Sequence, residues 1–66
     1  KGSFRFRRSL YVVKDMKTGE IFSKENIRAI RPGLGLAPKY YELFLGKRVT
    51  QDVPKGTPIN WDLLSS

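Results

Sequence analysis

Val12–Ile27 reads VVKDMKTGEIFSKENI, and Val49–Leu64 reads VTQDVPKGTPINWDLL. The second stretch superposes on the first at one constant offset, without a gap. Val12/Val49, Asp15/Asp52 and Gly19/Gly56 are identical; Met16/Val53, Phe22/Ile59, Ser23/Asn60, Glu25/Asp62 and Ile27/Leu64 keep their character. The unit reads as a strand, an acidic turn with glycine, a short apolar strand, a polar cap, an acidic residue and an aliphatic. Two copies are too few for a solenoid, which needs about three or more repeats to bury a continuous core. They predict one small fold with an internal pseudo-two-fold. Duplication marks scaffold, so function is expected in the unshared segment, Arg28–Arg48.

Outward from the repeat, local chemistry supplies the remaining elements. Leu10–Val13 is rich in strand formers and reads as strand. Asp15–Gly19 is a turn, begun by an aspartate and closed by a glycine that can take φ > 0. Ile21–Phe22 is a short strand. Ser23 caps a single helical turn with Glu25 near its positive end, and Ile27–Ile30 returns to strand. Pro38 suits the first position of a short helix over Lys39–Leu45, where Tyr40, Leu43 and Phe44 recur at i, i+3, i+4. Gly46 stands where a left-handed residue commonly ends a helix. In the second copy Pro54 and Pro58 confine the strands to edges or bulges, Asn60 takes the Ser23 cap role, and Asp62 that of Glu25. The expected fold is mainly β, small and irregular, with short single-turn helices. Phe4–Arg8 alternates aromatic and basic residues and reads as an extended, linker-like lead-in. Residues 1–8 are therefore assigned to a linker or cloning remnant, and residues 9–66 to the domain.

A chain of 66 residues is one domain, near the lower size limit for folding alone. The lack of cysteine removes a disulfide framework and a Cys zinc site. The lack of histidine removes the commonest general base and metal ligand. No apolar run is long enough to span a membrane, so no membrane partner is expected, and the absence of cysteine suits a cytoplasmic protein. A net charge of +7 admits nucleic acid, acidic lipid or an anionic partner. Most of the basic residues are scattered and read as solvated surface; Arg5, Arg7 and Arg8 make the tight cluster.

The acidic residues do not assemble a catalytic set. Asp15, Asp52, Glu25 and Asp62 have turn or cap roles, each with a twin in the other copy, and Glu20 and Glu42 read as surface charges. Without a nucleophile, base, phosphate loop or metal constellation, the chain itself is expected to hold no catalytic residue, metal or cofactor. The unshared segment offers Arg31, Pro32, Gly33, Leu34 and Gly35. Proline removes a donor and glycine opens other conformations, so this is a loop. One reading makes it a plain turn with a solvated arginine. The other holds Arg31 beside a rigid proline to face a ligand, since its planar fork donates well to carboxylate, phosphate or amide oxygens. Function concentrates on loops carried by rigid scaffolds. Tyr40, Tyr41 and Trp61 pose a similar choice between stacking platform and core. For Tyr40 and Trp61 core is the better reading, Trp61 with one edge exposed.

The repeated unit, with Arg7-Arg8-Ser9, Ile30-Arg31-Pro32-Gly33 and Leu45-Gly46-Lys47, resembles the SAF or antifreeze-like domain of bacterial sialic acid synthases. That family has a β-clip fold and includes type III fish antifreeze proteins. Gly35-Leu36, Pro38-Lys39-Tyr40 and Gly56-Thr57-Pro58 through Trp61-Asp62-Leu63 are most similar to the pseudaminic acid branch. The resemblance implies a parent enzyme that condenses phosphoenolpyruvate with an N-acetylated amino sugar. It places the chemistry and a divalent metal in an N-terminal (β/α) barrel that these residues do not include. It implies a domain-swapped homodimer, in which this domain packs over the partner subunit's barrel and its Arg-Pro-Gly arginine contacts the sugar's N-acetyl group. Carried over, that arginine is Arg31, on a loop shaped by Pro32, Gly33 and Gly35. Leu34 departs from the Asn that sialic acid synthases often carry there, which favours another acceptor sugar. The alternatives are a SAF domain in a sugar-acid dehydratase or a flagellar or pilus assembly protein, an ice-binding module, or a nucleic-acid-binding module. A chain with 29% charged residues offers no evident flat ice face, and it carries no known aromatic nucleic-acid motif, so no nucleic-acid partner is expected.

Overall fold

The computed structural model describes residues 7–64. The expectation for Phe4–Arg8 lies outside the described residues, apart from Arg7 and Arg8, which are exposed. Strand β1 (Ser9–Val12) pairs antiparallel with β2 (Ile27–Ile30), placing Ser9 opposite Ile30 and Val12 opposite Ile27. All of β1 is buried, because its second edge is covered too. Val12 N donates to the Thr57 carbonyl and Ile59 N to the Leu10 carbonyl, each at 2.9 Å. Between those bonds Tyr11 faces Pro58. Opposed residues of an antiparallel pair alternate between bonded and unbonded positions. Pro58 takes an unbonded one, where its missing N–H is not needed.

The pseudo-two-fold is written in the hydrogen bonds, and its axis passes between Met16 and Val53. These equivalent residues form an antiparallel bridge in which each N–H donates to the other's carbonyl at 2.8 Å. Such an axis requires the flanking bonds to occur twice with partners exchanged. Gly56 N donates to the Val12 carbonyl at 2.7 Å, and Gly19 N to that of Val49 at 3.0 Å. Lys55 N donates to Asp15 Oδ1 at 2.8 Å, and Thr18 N to Asp52 Oδ1 at 2.7 Å. The Val12–Ile27 pairing returns as Val49–Leu64, and Tyr11–Pro58 as Arg48–Ile21. Gly19 and Gly56 take φ of 89° and 94° in matching turns, a region that glycine enters without steric penalty. The caps match as well: Ser23 Oγ accepts from Glu25 N at 3.2 Å, and Asn60 Oδ1 from Asp62 N at 2.9 Å. Each aspartate thus closes the other copy's turn, whereas local sequence chemistry places Asp15 within its own.

The core is built from both copies. Leu10, Val12, Met16, Phe22, Ile27, Phe44, Val49, Val53, Ile59 and Leu63 form one buried cluster. Phe22 meets Phe44 edge-on, with ring centroids 5.3 Å apart. The expected Lys39–Leu45 helix is shorter and mixed: a 3-10 turn over Pro38–Tyr40 runs into α1 (Tyr41–Phe44), and Leu45 is already extended. Its inward side carries Tyr40, Tyr41 and Phe44, with Phe44 fully buried. Leu43, expected on the apolar stripe, is 47% exposed. At 100° per residue, an arc centred on Tyr41 and Phe44 leaves position 43 outside it. Gly46 comes next at φ 86°, and its N–H donates to the Phe22 carbonyl at 3.0 Å, tying the helix end to the core.

The two-fold turns have a consequence for acid stability. Thr18 N–H, then the Thr18 hydroxyl at 2.9 Å, then the Lys17 charge hold the Asp52 carboxyl below its ordinary value of 3.8. The folded chain therefore keeps this carboxylate charged at acidities that protonate it in the unfolded chain. Its stabilisation is fully present above pH 3.8 and is lost as pH falls through the lower folded-state value. Denaturation midpoints followed downward from pH 5 should fall more steeply for the native protein than for Asp52→Asn. Superimposable curves would mean the Thr18 bonds do not favour the charged form.

Candidate functional site

Strand β2 ends at Ile30, so Arg31 is the first residue beyond the ladder, and it is exposed. The Arg31–Pro32 peptide is cis. From Pro32 to Leu36 the backbone is fastened at nearly every turn. Ser9, only 1% exposed, donates its hydroxyl to the Pro32 carbonyl at 3.2 Å and accepts from Gly35 N at 2.9 Å. The Tyr11 hydroxyl donates to the same Pro32 carbonyl at 2.8 Å, and Leu34 N does so at 2.9 Å. Beyond the loop, Leu36 N donates to the Ile59 carbonyl and Leu10 N to the Leu36 carbonyl, each at 2.9 Å. The loop is thus strapped to β1 and to the Ile59 segment of the second copy.

Sequence reasoning finds the loop and misses its anchors, Ser9 and Tyr11. The available signal is weak: a serine opening an otherwise apolar strand, whose burial demands a polar partner. Sequence reasoning also gives the loop's glycines an unusual conformation. Among the described residues positive φ occurs at Gly19, Gly46 and Gly56, and not at Gly35. Its requirement is space, since a Cβ there would lie 2.5 Å from the Leu10 oxygen and 2.9 Å from the Ile59 nitrogen.

Around Arg31 the surface is basic and partly apolar. Leu34 is 58% and Ile30 40% exposed. Arg8, Ala29, Ile30 and Arg31 line one shallow depression; Arg7, Arg8, Gly33 and Gly35 help to line the next. Arg48 provides a contrast, for its guanidinium donates to the Gly19 carbonyl at 2.9 Å and serves the scaffold. The aromatic candidates divide as expected. Trp61 stacks on Phe44 at 5.8 Å, meets Tyr40 edge-on at 4.9 Å, and stays 46% exposed, so it roofs the core with one side open. Among the described residues no group of three or more His, Cys, Asp or Glu could hold a metal ion. Nor is any helix there long and apolar enough to cross a membrane. The chemistry this site offers is hydrogen-bond donation from exposed cations beside a fastened loop backbone.

A family model described as the SAF domain matches residues 7–65. The chain belongs to the SAF domain family. This SAF domain is similar to the pseudaminic acid synthase of Campylobacter jejuni subsp. jejuni serotype O:23/36 (strain 81-176), at 53% identity over 51 residues, covering 77% of this chain and 15% of that protein. Its structure overlays the spore coat polysaccharide biosynthesis protein SpsE of Bacillus subtilis with a TM-score of 0.82 at 36% identity, covering 94% of this chain and 19% of that one. The antifreeze-like domain of human N-acetylneuraminic acid phosphate synthase overlays with a TM-score of 0.80 over 88% of this chain and 75% of that one. At 19% identity, that last likeness concerns the fold. The antifreeze-like fold implied by the family resemblance is therefore the fold observed. The SAF domain spans less than a fifth of the length of the two bacterial relatives.

Proposed function

We propose that this SAF domain caps the active site of a nonulosonic acid synthase, a cytoplasmic transferase that forms a C–C bond between phosphoenolpyruvate and an N-acetylated amino sugar. In this reading the two substrates and a divalent metal sit in a (β/α) barrel of the partner subunit, in a domain-swapped homodimer. Arg31 reaches across and donates to the acyl oxygen of the sugar. The observation that carries the reading is the strapped loop. Three donors converge on the Pro32 carbonyl, directly after Arg31, and Ser9 also fixes Gly35. A guanidinium projecting from so rigid a base loses little backbone freedom on binding, which is what preorganised recognition requires. Similarity to a pseudaminic acid synthase supports the reading of a nonulosonic acid synthase.

Action across subunits has its own test. One full-length variant carries Arg31→Ala, and a second carries an inactivated barrel. Each alone turns over neither substrate efficiently. Mixing them with subunit exchange creates dimers in which an intact barrel faces an intact Arg31, so activity should return. Failure to recover activity in verified mixed dimers would place Arg31 in its own subunit's site.

A further inference from the structure

Strand β2 has one edge paired and one edge open. Leu10 and Val12 spend their backbone groups on the side away from it. Leu10 N donates to the Leu36 carbonyl and the Leu10 carbonyl accepts from Ile59 N, each at 2.9 Å; Val12 N donates to the Thr57 carbonyl at 2.9 Å and the Val12 carbonyl accepts from Gly56 N at 2.7 Å. The bonds across to β2 therefore fall to Ser9 and Tyr11, in step with Val13 N, which donates to the Asn26 carbonyl at 2.8 Å. Ala29 and Ile27, opposite Leu10 and Val12, turn their own groups outward. The Ser23 carbonyl accepts from Ile27 N at 3.2 Å. The Ile27 carbonyl and the N–H and carbonyl of Ala29 have no hydrogen-bond partner among the described residues. This edge borders a hollow lined by Lys24, Ile27, Arg28, Ala29, Pro38 and Tyr41. Its floor is apolar, its two charged residues are exposed cations, and no carboxylate lines it. Ala29 also lines the Arg31 depression, so the open edge runs from this hollow up to the candidate site.

We infer that the open edge of β2 receives an extended acidic segment of the partner subunit, added to the sheet as a further strand. This rests on the capping function proposed above, which brings a barrel against Arg31 and so against the strand that ends at it. A carbonyl, an N–H and a carbonyl in line call for a donor, an acceptor and a donor, with alternate residues about 7 Å apart. Another backbone supplies that pattern, and a small anion does not. Carboxylates on the segment meet Lys24 and Arg28, and its apolar side chains meet Pro38 and Tyr41. A second copy of the same edge is a poor occupant, because it would set Lys24 and Arg28 against their own counterparts.

The test uses the full-length homodimer. Amide exchange read residue by residue should find the Ala29 N–H protected on the order of a hundredfold. A carbodiimide, which links an amine to a carboxylate in contact with it, should join Lys24 to an aspartate or glutamate of the barrel. In mixed dimers of isotope-labelled and unlabelled chains, that link should connect one subunit to the other. Lys24→Glu combined with Arg28→Glu should return Ala29 to free exchange, while Val12, bonded to Thr57 inside the fold, stays slow; this separates release of the segment from unfolding. Cations on an edge also serve merely to deter unwanted pairing. An Ala29 amide that exchanges freely in the native dimer gives Lys24 and Arg28 that role and overturns the inference. So does protection that survives the double variant, or a Lys24 link confined to one subunit. The mixed-dimer assay of Arg31→Ala separates the failures. Recovered activity beside a free Ala29 amide removes the strand docking alone; unrecovered activity removes the capping across subunits beneath it.

Discussion

Gly35→Ala is expected to remove much of the stability of this domain, although it adds one methyl group at a half-exposed loop position. The new Cβ would lie 2.5 Å from the Leu10 carbonyl oxygen and 2.9 Å from the Ile59 nitrogen, which are themselves hydrogen-bonded to each other at 2.9 Å. Those neighbours are backbone, so neither can rotate aside as a side chain would. Relief requires β1 and the Ile59 segment to part, or the loop to lift from both. The first breaks the bond from Ile59 N to the Leu10 carbonyl. The second strains the Gly35 N to Ser9 Oγ bond and the Leu36 bonds next to it. Overpacking costs about 1–3 kcal/mol, and each lost hydrogen bond adds about 1 kcal/mol. A sum of about 3–4 kcal/mol is a large share of the marginal stability of so small a domain. For a domain of this size each kcal/mol lowers the thermal midpoint by about 4–8 °C, so a fall of more than about 12 °C is expected. Gly19→Ala is the control. Its site has open space but φ of 89°, so its cost is the left-handed penalty alone, about 1–2 kcal/mol. Melting followed by circular dichroism would decide between them. A Gly35→Ala midpoint within a few degrees of the native protein would show the loop packs more loosely than the structure has it.

The contrast between these glycines also explains what is legible in the sequence. Gly19 belongs to a turn whose chemistry is local, and its twin Gly56 repeats it, so both roles are visible there. The same holds for the Ser23 and Asn60 caps and for β2, whose bounds are found where strand propensity puts them. Gly35 answers to Leu10 and Ile59, which lie far away along the chain, and only the assembled fold shows why a side chain is forbidden. Ser9 and Tyr11 are alike in this: their hydroxyls reach Pro32 across 23 and 21 positions. Leu43 misleads because i, i+3, i+4 spacing from Tyr40 does not show where the inward arc is centred, and the fold centres it on Tyr41 and Phe44. Arg31 can be singled out because it stands outside the duplicated scaffold. Its rigid seat cannot, since that seat is made of strand residues whose own pattern says only that they are buried.

Arg31→Ala in the full-length enzyme is expected to damage use of the amino sugar while leaving the domain folded. Arg31 is exposed, and the bonds that hold its loop use the carbonyl of Pro32 and the N–H groups of Leu34 and Gly35, none of which the substitution touches. Thermal midpoints should therefore agree. A hydrogen bond from a charged donor is worth on the order of 1.5–3 kcal/mol, so kcat/KM for the sugar should fall roughly ten- to 150-fold. Phosphoenolpyruvate affinity should change much less, because in this reading Arg31 contacts the sugar alone. Arg31→Lys retains the charge and loses the planar fork, and should recover only part of the loss. Full recovery by lysine would mean the residue acts as a point charge on an anion, and would reassign it from the acyl oxygen. The acyl group itself gives a further check. With an amino sugar lacking the N-acetyl group, native and Arg31→Ala enzymes should turn over at similar low rates, since the partner of the lost bond is already absent. If the deacetylated sugar still distinguishes the two enzymes tenfold or so, Arg31 contacts some other part of the substrate. An unchanged sugar kcat/KM in Arg31→Ala would leave it a solvated charge on a well-anchored turn.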